Sequence, residues 1–294
     1  MFGTFWTPSL LGAALAALLF LWLRRRLDSI LAGVLSRWAR WVFAGTAFGW
    51  ALHTFVYPEF EPLLLWLVGL LFWFVLDTTY NYLAIKALSR SGLPLFPRFE
   101  ESEGQDIWPN EPRFLRLRET LRRHRFERRK TLSATVADGI TLRLAVFSNK
   151  ERTVLLSVYF LPVARTRLTA FIALQSETAE GRRIVTDNIS IPFGGFYPES
   201  WSVERRPLTR SVETLLTRHL ARVDARGDPL AAIEDDPLER LNADQKALEK
   251  LNRDLGFLAA PGDTETEETI SPAGRYRVWK EAWLLGYFAR PLRY

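Results

Sequence analysis

The stretch from Pro62 to Lys86, PLLLWLVGLLFWFVLDTTYNYLAIK, constrains this chain most, because before its terminal lysine it holds a single carboxylate and no cation. A helix rises about 1.5 Å per residue, so about 20 apolar residues match a hydrocarbon layer of roughly 30 Å. We read the stretch as a membrane span. Its last third carries Asp77 and Asn81, one helical turn apart on the same face. A carboxylate turned toward lipid is costly, so the pair is a candidate intramembrane polar site facing protein, water or a cation.

Two more apolar stretches precede it. Thr4 to Leu23 runs directly into Arg24, Arg25 and Arg26. A cleaved signal peptide would carry its positive charge before the apolar run and not after it, so this segment is expected to stay as a span. Trp41 to Tyr57 gives a shorter third candidate, closed by the turn PEFEP. Between the two, Leu27, Ile30, Leu31, Val34, Leu35 and Trp38 recur at helical spacing among basic residues. That pattern fits either an amphipathic helix on the inner membrane surface or an extension of the following span. The expected membrane domain is residues 1–88, with spans near 4–23, 41–57 and 62–86.

Basic residues set the orientation. Arg24, Arg25, Arg26, Arg37 and Arg40 lie in the first connection, none lies in PEFEP, and Lys86, Arg90 and Arg98 follow the third stretch. The positive-inside rule then puts the N-terminus outside and the C-terminal domain in the cytosol, in a setting we expect to be a bacterial inner membrane. The net charge of +6 is read as topology before it is read as affinity for nucleic acid. Seven of the eleven Trp lie between Trp6 and Trp73, as interface anchoring would require.

Gly45 and Gly49 form a GxxxG pair that lets helices approach closely, within the chain or between two copies. His53 and Asp77 invite a proton-relay reading. Depth argues against it: counted from the outer side, His53 sits roughly 5 Å in and Asp77 roughly 20 Å in. Asp77 lies nearer Arg37 and Arg40, and a structural pairing there is preferred to a role in transport.

The rest of the chain reads as a linker, 89–112, and a cytosolic α+β domain, 113–294. In the linker, prolines and the acids Glu100, Glu101, Glu103 and Asp106 predict no regular element. Arg113 to Lys130 begins as a helix with the apolar stripe Phe114, Leu117 and Leu121, its other faces basic through Arg122 and Arg123 among others. Its charge serves a solvated face or anionic headgroups. Nucleic acid ranks third, because no aromatic residues interleave to stack bases. From Thr131 to Asn188, β-branched runs separated by turns predict an antiparallel meander of four or five strands, covered by helices on both sides.

Ile189 to Arg206 is an aromatic, glycine-containing loop in which Phe193, Phe196, Tyr197 and Trp201 either pack over the sheet or face a partner. Two helices follow. The second is framed by Asp236 as N-cap, Pro237, Glu239 and a closing Gly256. After an acidic linker, Ala260 to Gly274, a last helix carries Trp279 and Trp283 one turn apart with arginines at both ends. It suits either a buried core position or the membrane interface.

The chain contains no Cys and three His, which excludes disulfides, thiol catalysis and Cys-type metal sites. HExxH, the GxSxG elbow and the phosphate-loop lysine are all missing. No catalytic, metal or cofactor residue is therefore assigned. The expected function is a membrane-anchored, non-catalytic binding or sensing module. Its expected partners are membrane lipids, anionic headgroups among them, and a protein partner or a second copy through Gly45 and Gly49. Asp77 and Asn81 form the polar site, and Arg24, Arg25, Arg26, Arg122, Arg123, Phe193, Phe196, Tyr197, Trp201, Trp279 and Trp283 the surface. The alternatives are a membrane-tethered enzyme acting on a lipid or headgroup, with Asp187, Glu177, His219 and Ser211 as its scattered candidates, and an accessory subunit of a transport complex.

Overall fold

Three long helices open the chain: α1 (Gly3–Leu27), α2 (Ile30–Phe55) and α3 (Pro62–Arg90). The computed structural model describes residues 3–27, 30–102, 108–137, 139–164, 167–260 and 269–294. Asp28, Glu103, Asp106, the acidic stretch 261–268 and the side chain of Arg25 lie outside the described residues. Within α1 and α3, Trp6–Arg24 and Pro62–Ser89 are long and apolar enough to cross a membrane. Two of the three expected spans are matched by these helices, and the third is not confirmed. The amphipathic stretch and the expected second span form one continuous helix, α2, which is less apolar than the other two windows.

The chain packs as two units. The first comprises Met1–Leu88, Pro192–Gly194 and Arg275–Arg290; the second comprises Ser89–Ile191, Gly195–Gly274 and Pro291–Tyr294. In the first unit, α2 and α3 bring their backbones close together at glycines. A Cβ on Gly69 would overlap the carbonyl oxygen of Gly45 and lie 3.0 Å from the Gly49 nitrogen. A Cβ on Gly49 would lie 2.9 Å from the Leu65 carbonyl oxygen. Gly45 and Gly49 thus face α3 of their own chain, as small residues allow in closely packed helices.

The second unit is built on one sheet. Its strands are β1 (Glu100–Glu101), β2 (Glu127–Ala137), β3 (Ile140–Ser148), β4 (Leu155–Ala164), β5 (Arg167–Glu177), β6 (Arg183–Asp187), β7 (Trp201–Arg205) and β8 (Leu292–Arg293). They follow one another in order across the sheet. The expected antiparallel meander of four or five strands is therefore too short: β2 to β6 form it, but the sheet has eight strands and is mixed. β6 and β7 run parallel because the aromatic loop crosses over between them, pairing Val185 with Val203. The added strands escape periodicity because β1 and β8 are two residues long and β7 interrupts a loop.

Alternation along β3 and β4 sends side chains to two cores. Leu156, Val158 and Phe160, with Ile172 and Leu174 opposite on β5, pack with Trp108, Phe114 and Leu121. Helix α4 (Pro112–Arg123) supplies Phe114 and Leu121, and helix α5 (Val212–Asp224) adds Val212 and Leu215. Leu132, Leu144, Val146 and Leu155 pack with Phe99, Ile233 and Leu241. Leu241 belongs to helix α6 (Pro237–Asp254). Its start follows from sequence: Asp236 Oδ1 accepts from the backbone N–H groups of Leu238 at 2.8 Å and Glu239 at 3.3 Å. Gly256, with φ of +72°, ends the turn after it.

Candidate functional site

The polar pair on α3 finds its partner at the far end of the sequence. Helix α7 (Pro272–Trp283) runs on into a π-helical turn, Leu284–Phe288, and both belong in large part to the first unit. A π turn winds an extra residue into the helix and is frequent at functional sites. Here it carries Tyr287, 1% exposed, whose hydroxyl donates to Asp77 Oδ2 at 2.8 Å. Asn81 Nδ2 donates to the same oxygen at 2.8 Å. The turn ends at Ala289, held at φ of 44°, a left-handed conformation that alanine adopts at a cost of about 1–2 kcal/mol.

Aromatic rings enclose that tyrosine. Trp283 stacks on it with centroids 4.2 Å apart, and Trp38 meets it edge-on at 5.3 Å while donating its indole N–H to the Tyr287 carbonyl at 2.8 Å. Phe74 on α3 packs edge-on against Trp283 at 5.6 Å. The Arg37 guanidinium lies 5.1 Å above the tyrosine ring, within cation–π range. It passes over Gly286, where any Cβ would overlap it. Asp77 therefore meets a phenol and an amide, and Arg37 reaches the phenol's ring. His53 lies elsewhere, its ring 5.9 Å from that of Trp6. Arg37, expected as a partner for Asp77, lies over the Tyr287 ring instead. Tyr287 and Gly286 were not found by sequence reasoning: Tyr287 is 210 residues from Asp77, and its signal was the aromatic density of the tail.

The other sequence candidates are dispersed. Arg24 and Arg26 are exposed, Arg26 lying 5.7 Å over the Trp22 ring. Arg122 and Arg123 are exposed on α4, the first 3.9 Å from Glu119 and the second donating to Thr120 Oγ1 at 3.1 Å. The aromatic loop is shared between the two units. Residues 192–194, and with them Phe193, belong to the first. There Arg277 Nε donates to the Gly194 carbonyl at 2.7 Å, and the Gly194 N–H donates to Glu281. Gly194 holds φ of +70° with Val278 so near that a Cβ would lie 2.6 Å from its nitrogen. In the second unit, the Asn252 side chain bonds both backbone groups of Phe196, at 2.7 and 2.9 Å. Tyr197 stacks on Trp201 at 6.0 Å and meets Tyr294 at 5.1 Å. On α7, Trp279 stacks on the exposed Tyr276 at 5.7 Å.

The residues considered for hydrolytic chemistry do not assemble. Asp187 is buried against Arg205 at 3.1 Å, Glu177 pairs with Arg240 and Arg183, and Ser211 caps α5 by accepting from the Thr214 N–H. His219 is fully buried, its Nε2 3.0 Å from Ser176 Oγ and its Nδ1 3.0 Å from Thr186 Oγ1. Burial, and then the charge of Arg222, lower its pKa to about 3. Among the described residues no group of three or more His, Asp or Glu is placed to hold a metal.

That histidine makes a pH prediction. Folded His219 stays neutral where the unfolded chain takes up a proton, below about pH 6.5. Its contribution is full above that pH and falls by about 1.4 kcal/mol per pH unit as pH drops toward 3. In denaturant unfolding, moving from pH 7.5 to 5.5 is expected to cost the native chain more than a His219→Gln variant, by about that amount. Equal losses would mean that His219 is not held neutral.

A second charged cluster, also non-local in sequence, lies in the second unit. Glu204 on β7 is 2% exposed. It accepts from Arg206 at 3.0 Å and from Arg218 at 2.9 Å, and Arg222 lies 3.3 Å away. Burial works against its ionisation, but the hydrogen bonds from Arg218 and Arg206 and the charge of Arg222 outweigh it and hold the carboxyl below its ordinary range. Sequence reasoning passed over these residues because β7 brings Glu204 beside a face of α5. No family model matches the chain, and no curated protein or solved structure shows significant similarity to it.

Proposed function

We propose that this is an integral membrane protein whose second unit is a non-catalytic binding or sensing module at the cytosolic face. The observation that carries the reading is the bareness of the apolar helices. Only 6% of the apolar window in α1 and 11% of that in α3 is buried. A core helix of a soluble protein would bury most of such a window. Leu11, Leu15, Leu18, Leu63, Leu67 and Leu71 are instead exposed, and lipid is the solvent that suits them.

In this reading α2 is the third span, held to α3 through Gly45, Gly49 and Gly69, and the start of the chain faces away from the cytosol. Arg24, Arg26 and Arg40, all exposed, then meet anionic headgroups at the inner leaflet of a bacterial inner membrane, each worth about 1 kcal/mol. Trp279 and Trp283 sit among the spans at interfacial depth, and Asp77 with Asn81 and Tyr287 holds α7 against α3. Arg122, Arg123 and the loop residues Phe196, Tyr197 and Trp201 supply the surface for a partner.

The test is a reporter fused after Tyr294, combined with native purification from membranes. A reporter active only in the cytosol, with lipid or a protein retained by the purified chain, is the expected result. A chain recovered in the soluble fraction, or a reporter active only outside the cytosol, overturns the reading.

A further inference from the structure

In the second unit, guanidinium groups outnumber carboxylates around β7. Burial first, then the charges of Arg218, Arg226 and Arg293, lower the pKa of Arg222 against the pull of Glu204. Arg226, exposed just beyond α5, has no carboxylate partner among the described residues. It lines a cleft of about 570 Å³ that Arg182, in the turn before β6, lines as well.

The walls are set by internal bonds. Arg222 donates to both the carbonyl and the hydroxyl of Ser202, at 2.8 and 2.9 Å, which fixes the cleft-lining end of β7. Trp201 is held by the Arg183 guanidinium, 4.4 Å from its ring, and by the stacked Tyr197. Tyr294 lines the same cleft and exchanges two backbone hydrogen bonds with Val203. Glu180 stands 3.5 Å from Arg182 and shares its charge, while Glu199 is exposed at the rim.

We propose that this cleft binds a phosphorylated small ligand, its phosphoryl group held jointly by Arg182 and Arg226 and a neighbouring hydroxyl or ammonium donating to Glu199. Arginine suits a phosphoryl group because its planar fork makes paired, charge-assisted hydrogen bonds. The carboxylate at the rim discriminates against bare anions and favours a ligand with a donor beside its phosphate. A phospholipid headgroup and a free phosphorylated polyol share this chemistry. The proposal goes beyond the anchoring function and stands without it, since every residue it uses lies in the second unit.

The experiment titrates glycerol 3-phosphate into the full chain in dodecyl maltoside and follows phosphorus-31 line broadening. Saturable broadening is expected, weakened about fivefold or more in Arg182→Gln and in Arg226→Gln. Both side chains are exposed, so both variants keep the unfolding temperature of the native chain. Arg152→Gln, which removes a distant surface pair with Glu234, leaves binding unchanged. Displacement of glycerol 3-phosphate by dihexanoyl phosphatidylglycerol assigns the site to a lipid headgroup, and binding without displacement assigns it to a free phosphorylated ligand. Absence of saturable broadening up to about 10 mM, or equal binding by both variants and the native chain, overturns the proposal.

Discussion

Gly69→Ala is expected to destabilise the full chain in detergent by about 3 kcal/mol, the upper end of what one added methyl costs in a packed interior. The size follows from what the methyl would meet. Its neighbours are the Gly45 carbonyl oxygen and the Gly49 nitrogen, both backbone atoms on α2. A side chain rotates away from an intruder, whereas a helix backbone moves only as a whole. Relief therefore parts α2 from α3 along the crossing and loosens Trp66 Nε1 from Thr46 Oγ1, now 3.0 Å apart. Gly12→Ala on α1 is the control. Nothing lies within 4 Å of its added carbon, and its effect should stay within about 0.5 kcal/mol. Thermal unfolding of the two variants decides the matter; matching midpoints would show that the α2–α3 crossing is not tight.

Glu204→Gln is expected to cost the second unit about 3–5 kcal/mol, the range for removing one partner of a buried charge cluster. The amide keeps the shape of the carboxyl but takes away its charge. Three guanidiniums are then left facing one another around a buried position, and Arg222 is hemmed in further by Arg226 and Arg293. The sign of the pH effect follows. The folded pKa of Glu204 is depressed, so its contribution is complete above the ordinary carboxylate pKa of about 4.3 and is lost as pH falls below it. Denaturant unfolding at pH 7 should separate the variant from the native chain, and the gap should narrow at pH 3. A variant as stable as the native chain at pH 7 would mean that the arginines are neutralised by solvent and not by Glu204.

Local chemistry made part of this fold legible. Asp236, Pro237, Glu239 and Gly256 marked α6 because caps and terminators act within one turn of the residues that carry them. Strands β2 to β6 were legible because apolar residues such as Val158 and Phe160, or Ile172 and Leu174, recur at every second position and so share one face. What stayed hidden depends on contacts between distant residues. β8 exists only because β7 offers Arg205 and Glu204 as partners, and two residues carry no period. Asp77 and Asn81 were recognisable as a polar pair because a carboxylate in so long an apolar stretch stands out. The bond from Tyr287 was not, since the π turn that aims it leaves no pattern in the residues Leu284 to Phe288. The arginines around Glu204 gave no signal in the sequence until β7 supplied the acid.

The division of the chain into interleaved pieces bears on how it is made. Residues 275–290 belong with helices α1 to α3, yet they leave the ribosome well after them. At about 5–20 residues per second, roughly 200 residues separate α3 from α7, so Asp77 waits on the order of 10–40 s for Tyr287. During that interval Asn81 is the only one of its two donors already in place. Nascent chains stalled before residue 275 are the state in which this carboxylate is still without its phenol partner.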